Sequence, residues 1–177
     1  MRNAYEEIWG VAEDNYGIIT TARAVELGVS RQNMVAMERS GKLRRLGQGV
    51  YQVHHHVPGQ NDVYATAVAL GGDDAYLRGA SVLYMLGLTP ANPSTVYVGT
   101  PNRVRRRFPN GYVIKNNAPA DIEEFDGCEG IKCQRLVDAL RVATKECGVE
   151  LDRIADAARK ANEKGLLTDE ECSEFQD

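Results

Sequence analysis

The chain has 177 residues, 43% of them hydrophobic, and carries 21 Lys and Arg against 25 Asp and Glu for a formal net charge of -4. That length holds one large or two small domains, and the composition excludes both a disordered chain and a helical membrane protein, since no run approaches the roughly 20 apolar residues a bilayer helix requires. Counted by segment, residues 1–53 carry +1, residues 54–120 carry +3 and residues 121–177 carry -8. Salt screens charges beyond about 8–10 Å, so the first two thirds can meet a polyanion despite the acidic total.

The opening MRNAYEEIWG places acids where a signal peptide needs an apolar run, so a cytoplasmic protein is expected. Cys128, Cys133, Cys147 and Cys172 are then expected as reduced, structural thiols. AYEEIWGVAEDNYG reads as an amphipathic helix burying Ile8, Trp9 and Ala12 and ending near Gly17. In IITTARAVELG, Thr20 or Thr21 caps a short helix that Gly28 terminates. A tight turn follows, and Ser30 caps a third helix, RQNMVAMERSG, that stops at Gly41.

With Met34 and Met37 facing the core, a step of about 100° per residue puts Gln32, Val35, Ala36 and Arg39 on the opposite face, flanked by Arg31. That face carries no acid. Gln pairs with adenine, Arg with guanine or phosphate, and a small apolar group contacts the thymine methyl. The free amides beyond Ser30 can hold a phosphate. The next stretch, KLRRLGQGVYQV, reads as a basic hairpin turning at Gly47-Gln48-Gly49. Because Leu43 and Leu46 are three apart, strict alternation cannot bury both, and a bulge near Arg44 and Arg45 is expected. Helix, helix, turn, helix, hairpin is the order of a winged helix-turn-helix.

HHHVPGQ marks the joint to the remainder. There NDVYATAVALG, RGASVLYMLGL, QRLVDALRVATKECG and ELDRIADAARKANEKG read as helices, STVYVGT and GYVIKN as strands, and TDEECSEF as a short helix capped by Thr168. Tyr84 and Met85 fall at core spacings. The loop PNRVRRRFPNG carries Arg103, Arg105, Arg106 and Arg107, which fit a solvated loop about as well as a second surface for DNA or for antitoxin action.

The run GIITTARAVELGVSRQNMVAMERSGKLRRLGQGVYQV resembles the N-terminal DNA-binding domain of AbiEi-family antitoxins, the repressor component of type IV toxin-antitoxin systems. Ile19-Thr20-Thr21, Leu27-Gly28-Val29-Ser30-Arg31, Gly41, Leu43, Leu46 and Gly49-Val50-Tyr51 carry the match. RGASVLYMLGL, VYVGTPNRVRRRFPNGYVI and IKCQRLVDAL are similar to the family's later segments, more loosely. The resemblance implies a repressor that binds inverted repeats of operator DNA upstream of its own operon, with cooperative binding of two copies as one arrangement. It implies a second domain that counteracts a nucleotidyltransferase-like toxin, in a phage-defence setting, without forming a stable complex with it. Carried over to matching positions, the DNA role falls on Thr20, Ser30, Arg31 and Gln32 and on Arg44 and Arg45. Gln48 departs from the basic residue that many relatives carry before the last hairpin glycine.

Other chemistry lacks parts. His54, His55 and His56 have no Cys or His cluster to complete a metal site, so neither metal nor cofactor is expected. No lysine follows an acid by two residues as in restriction-like nucleases, Asp73 and Asp74 are adjacent where paired magnesium ligands would alternate, and there is no phosphate loop. The expectation is a non-enzymatic α+β protein: a winged helix-turn-helix over residues 1–53 and a mixed α/β antitoxin-type domain over 57–177. Thr20, Thr21, Ser30, Arg31, Lys42, Arg44 and Arg45 would position the duplex, while Gln32, Val35, Ala36 and Arg39 read bases. The alternative is a solitary regulator or a protein-interaction module without a cognate toxin.

Overall fold

In the computed structural model, which describes residues 3–90, 94–118, 122–123 and 128–176, Asn3 starts helix α1 (Ala4–Ala12). Its side chain accepts from the Tyr5 amide while Glu6 reaches back to the Asn3 amide, a reciprocal cap that fixes the helix start. A 3-10 turn (Glu13–Asn15) and left-handed backbone at Tyr16 and Gly17 then reverse the chain into strand β1 (Ile18–Thr20). The sequence reading took these three residues as the approach to the next helix. Three residues are too few to show a two-residue period, and the partner that makes them a strand lies over thirty residues downstream.

Helices α2 (Thr21–Glu26) and α3 (Arg31–Arg39) follow, then strands β2 (Leu43–Gly47) and β3 (Val50–Val53) and helix α4 (Asp62–Gly71). The sheet order is β1-β3-β2, all antiparallel, with Ile19 opposite Tyr51 and Arg45 also opposite Tyr51. Between Arg45 and Gly47 the register shifts, so Leu46 is the extra residue of a bulge and is half-buried while Leu43 is buried. The expected bulge is present, one residue beyond the two arginines. Ile8, Ala12, Ile19, Ala24, Val29, Met34, Leu43, Tyr51 and Val53 form one core, with Trp9 and Met37 packed partly against it.

The chain divides into two compact units, Met1–Leu70 and Gly71–Asp177. The second contains β4 (Tyr76–Leu77), α5 (Ala80–Met85), β5 (Val96–Gly99), β6 (Tyr112–Lys115), β7 (Ile122–Glu123), β8 (Cys133–Gln134), α6 (Leu136–Cys147), α7 (Leu151–Glu163) and α8 (Asp169–Ser173). Its sheet runs β6-β5-β4-β8-β7, mixed in direction: β5 and β6 are parallel, β4 and β8 are parallel, and the other pairs are antiparallel. The protein is a mixed α+β chain, as its sequence suggests. β4, β7 and β8 are two residues each and leave no periodic trace, so only β5 and β6 were legible. α8 begins at Thr168 with a full capping box through Glu171.

Two expectations need correction. Tyr84 and Met85 are half-buried, not core, because the tightly packed side of α5 is taken by Ala80, Ser81, Val82 and Leu83. Cys128 and Cys133 are paired as a disulfide, since the turn through Glu129 and Gly130, both at positive φ, brings their Cα atoms to 6.7 Å. Cys147 and Cys172 are free thiols. Among the described residues, no helix is long and apolar enough to cross a membrane.

Candidate nucleic-acid interface

Both helices of the first unit's helix-turn-helix segment start on a hydroxyl. The Arg23 amide donates to Thr20 Oγ1 at 3.2 Å and the Asn33 amide to Ser30 Oγ at 3.1 Å. Each hydroxyl spends a lone pair on its helix and keeps its O–H for an outside acceptor. Thr21, assigned to phosphate by sequence, opens α2 half-buried, and its amide donates to the Gly49 carbonyl at 2.9 Å. That bond ties the hairpin turn to the start of α2.

Met34 of α3 is fully buried, and this fixes the rotation of the helix. Arg31, Gln32, Val35, Ala36 and Arg39 are exposed in consequence, and with Ser40 they border one open depression. Val35 is 37% exposed, an apolar side chain left on this outer face. The five residues that periodicity grouped are thus on one surface. Asn33 is exposed beside Gln32 and makes no side-chain bond among the described residues; the sequence reading passed it over because it projects between the outer face and Met37.

Arg44 and Arg45 stand exposed on β2, but neither is loose. Arg44 Nη2 donates to Gln52 Oε1 at 2.5 Å, and Gln52, 4% exposed, passes its own Nε2 hydrogen to the Tyr16 carbonyl at 3.0 Å. Arg45 Nε donates to the Gly47 carbonyl at 3.3 Å, across the bulge. Gln52, which holds Arg44 in place, was not legible in the sequence, because a glutamine in a strand gives no sign that it faces inward. Lys42, expected on phosphate, holds its ammonium 5.5 Å from the centre of the Tyr5 ring of α1. Its contact is therefore shared between solvent and an aromatic face.

Residues 11–54 match the model of a family described as transcriptional regulator, AbiEi antitoxin. This segment is AbiEi-family. The match ends one residue past β3, so it takes in the end of α1, the two capped helices and the whole hairpin sheet, the elements that present the exposed face. No curated protein matches the chain. The crystal structure of the RV2827C protein from Mycobacterium tuberculosis shares the fold at a TM-score of 0.51 and 15% identity, over 99% of this chain and 72% of that one. The AbiEi segment is thus carried on a chain whose fold has a solved counterpart.

The other residues singled out by sequence lie apart from α3 in the chain. His54 and His55 stack edge to face, His55 also meets the Trp9 ring, and His56 Nε2 lies 2.7 Å from Asp62 Oδ2. The arginine loop belongs to the second unit and joins β5 to β6. Its base is fixed by Asn102 Nδ2 donating to Asp74 at 2.8 Å and by the Val104 amide donating to Asn116 Oδ1 at 2.7 Å. Arg103, Arg105 and Arg107 are exposed there, and Arg106 is half-buried.

Proposed function

We propose that the protein is a sequence-specific DNA-binding repressor of its own operon and the antitoxin of a type IV pair, with residues 1–53 acting as a winged helix-turn-helix. The observation that carries this reading is the exposed, acid-free face of the capped helix α3 beside a basic hairpin whose arginine is held by a buried glutamine. On this reading α3 lies in the major groove, Gln32, Val35, Ala36 and Arg39 contact base edges, and Asn33 extends that set. Ser30, Thr20, Thr21, Arg31, Lys42, Arg44 and Arg45 position the duplex through its phosphates. Residues 57–177 supply the antitoxin action, and the arginine loop at 103–107 offers a second phosphate-attracting surface.

Fluorescence anisotropy with a duplex from upstream of the protein's own gene and a scrambled duplex of equal length tests the repressor reading. The upstream duplex is expected to bind at least about 1,000-fold more tightly at physiological salt, the lower end for specific recognition. Equal affinity for the two duplexes would overturn it.

A further inference from the structure

The second unit contains a cavity of about 350 Å³ between the β4 end, β8 and α6 that the DNA-binding reading does not use. Helix α6 turns Asp138, Arg141, Val142, Lys145 and Glu146 toward it, at the three- and four-residue spacing of one helical face, and Tyr76, Arg78 and Gln134 close the other side. Arg78 is 7% exposed and Gln134 is 9% exposed, so a guanidinium and an amide are built into the wall.

The acids of this wall are already committed. Glu146 accepts from both Arg78 Nη1 and Nη2, at 3.0 and 2.8 Å, and lies 3.4 Å from Lys115 Nζ. The Arg78 hydrogen bond holds the Glu146 carboxyl below its ordinary range, so it stays an occupied anion at neutral pH. Asp138 accepts from Arg141 at 2.9 Å, and Arg141 is further clamped by both oxygens of Glu174 at 2.6 Å. What remains unmatched is all donor. Arg78 Nε is buried with no acceptor among the described residues. Gln134 gives its oxygen to the Gly79 amide at 3.0 Å and leaves its Nε2 hydrogens unpaired among the described residues, and Lys145 has no ion pair among them. A buried donor without a partner is rare in folded proteins and calls for an explanation.

We propose that this cavity binds a phosphorylated small molecule of mononucleotide size. Gln134 and Lys145 line the cavity with donors of different geometry, which suit a tetrahedral oxyanion better than a planar carboxylate, which the bidentate arginine fork prefers and which Glu146 already provides. The volume exceeds that of a bare phosphate and lies at the small end of ligand pockets, leaving room along Val142 and Tyr76 for the rest of the molecule. A duplex cannot enter a space of this size.

Isothermal titration of the full-length protein at constant ionic strength, with AMP, adenosine and inorganic phosphate as probes, tests the proposal. AMP is expected to saturate at one per chain, inorganic phosphate to compete with it, and adenosine to give no heat. Lys145→Glu, at an exposed position, is expected to weaken AMP by at least about tenfold, as loss and reversal of one charge-assisted contact implies. Arg44→Ala with Arg45→Ala is expected to bind AMP as the wild type does. Absence of saturable binding, adenosine binding as well as AMP, an unaffected Lys145→Glu variant, or loss of AMP binding in the Arg44 and Arg45 variant would each overturn it, the last by placing the anion on the hairpin surface.

Discussion

Ser30 does two things at one position. Its oxygen takes the Asn33 amide, and its exposure leaves the hydroxyl hydrogen free toward any ligand at the start of α3. Ser30→Ala removes both, so it is expected to lower stability by about 1 kcal/mol, the usual cost of an N-cap, read as a melting temperature lower by several degrees in circular dichroism. Gln32 is exposed and makes no side-chain hydrogen bond among the described residues. Gln32→Ala is therefore expected to leave the melting temperature unchanged and to relax base preference at one operator position by about 1–3 kcal/mol, measured by competition with single-base variants of the upstream duplex. A uniform loss across all sequences would show Gln32 on phosphate instead. Serine before a helix and glutamine on the outer face were both readable in the sequence, and the burial of Met34 bears out the second.

The hairpin is the element in which local sequence and tertiary contact meet most closely. Its turn and its charges follow from the order Lys42, Leu43, Arg44, Arg45, Leu46, Gly47. The two leucines three apart forced a bulge, and the register shift after Arg45 meets that demand. The sequence does not disclose that β1 lies on the far side of β3, making Val50, Tyr51, Gln52 and Val53 a central strand buried along its whole length. Central position is what turns Gln52 inward to join Arg44 to the Tyr16 carbonyl. With the arginines so held, replacing Arg44 and Arg45 together with Ala is expected to flatten the dependence of log affinity on log salt by about 2, near 0.9 per lost phosphate contact, in anisotropy titrations at stepped salt. An unchanged slope would take both side chains off the DNA.

At the scale of the whole molecule, two units have separate cores, and the charge is divided between them: the excess of acid lies in residues 121–177, beyond the AbiEi segment. A chain ending at Leu70 retains every residue of the first unit's core and all of α4 but Gly71. Such a truncation is expected to keep preference for the upstream duplex over the scrambled one and to lose rescue of cells expressing the cognate toxin. Rescue by the truncated chain would remove the antitoxin role from the second unit.

Amphipathic periods, caps and turn glycines act over three or four residues, and the sequence alone therefore determined α1 to α3, the hairpin, the bulge and the outer face of α3. Helices α4 to α8 were legible for the same reason. Pairing energies act across the chain, so tertiary structure decided the rest. It made strands of Ile18–Thr20 and of the two-residue pieces at Tyr76, Ile122 and Cys133, joined Cys128 to Cys133, and placed Arg78 under Glu146 across 68 residues of sequence. A donor left over in that wall is visible only once each of its possible acceptors has been given a position.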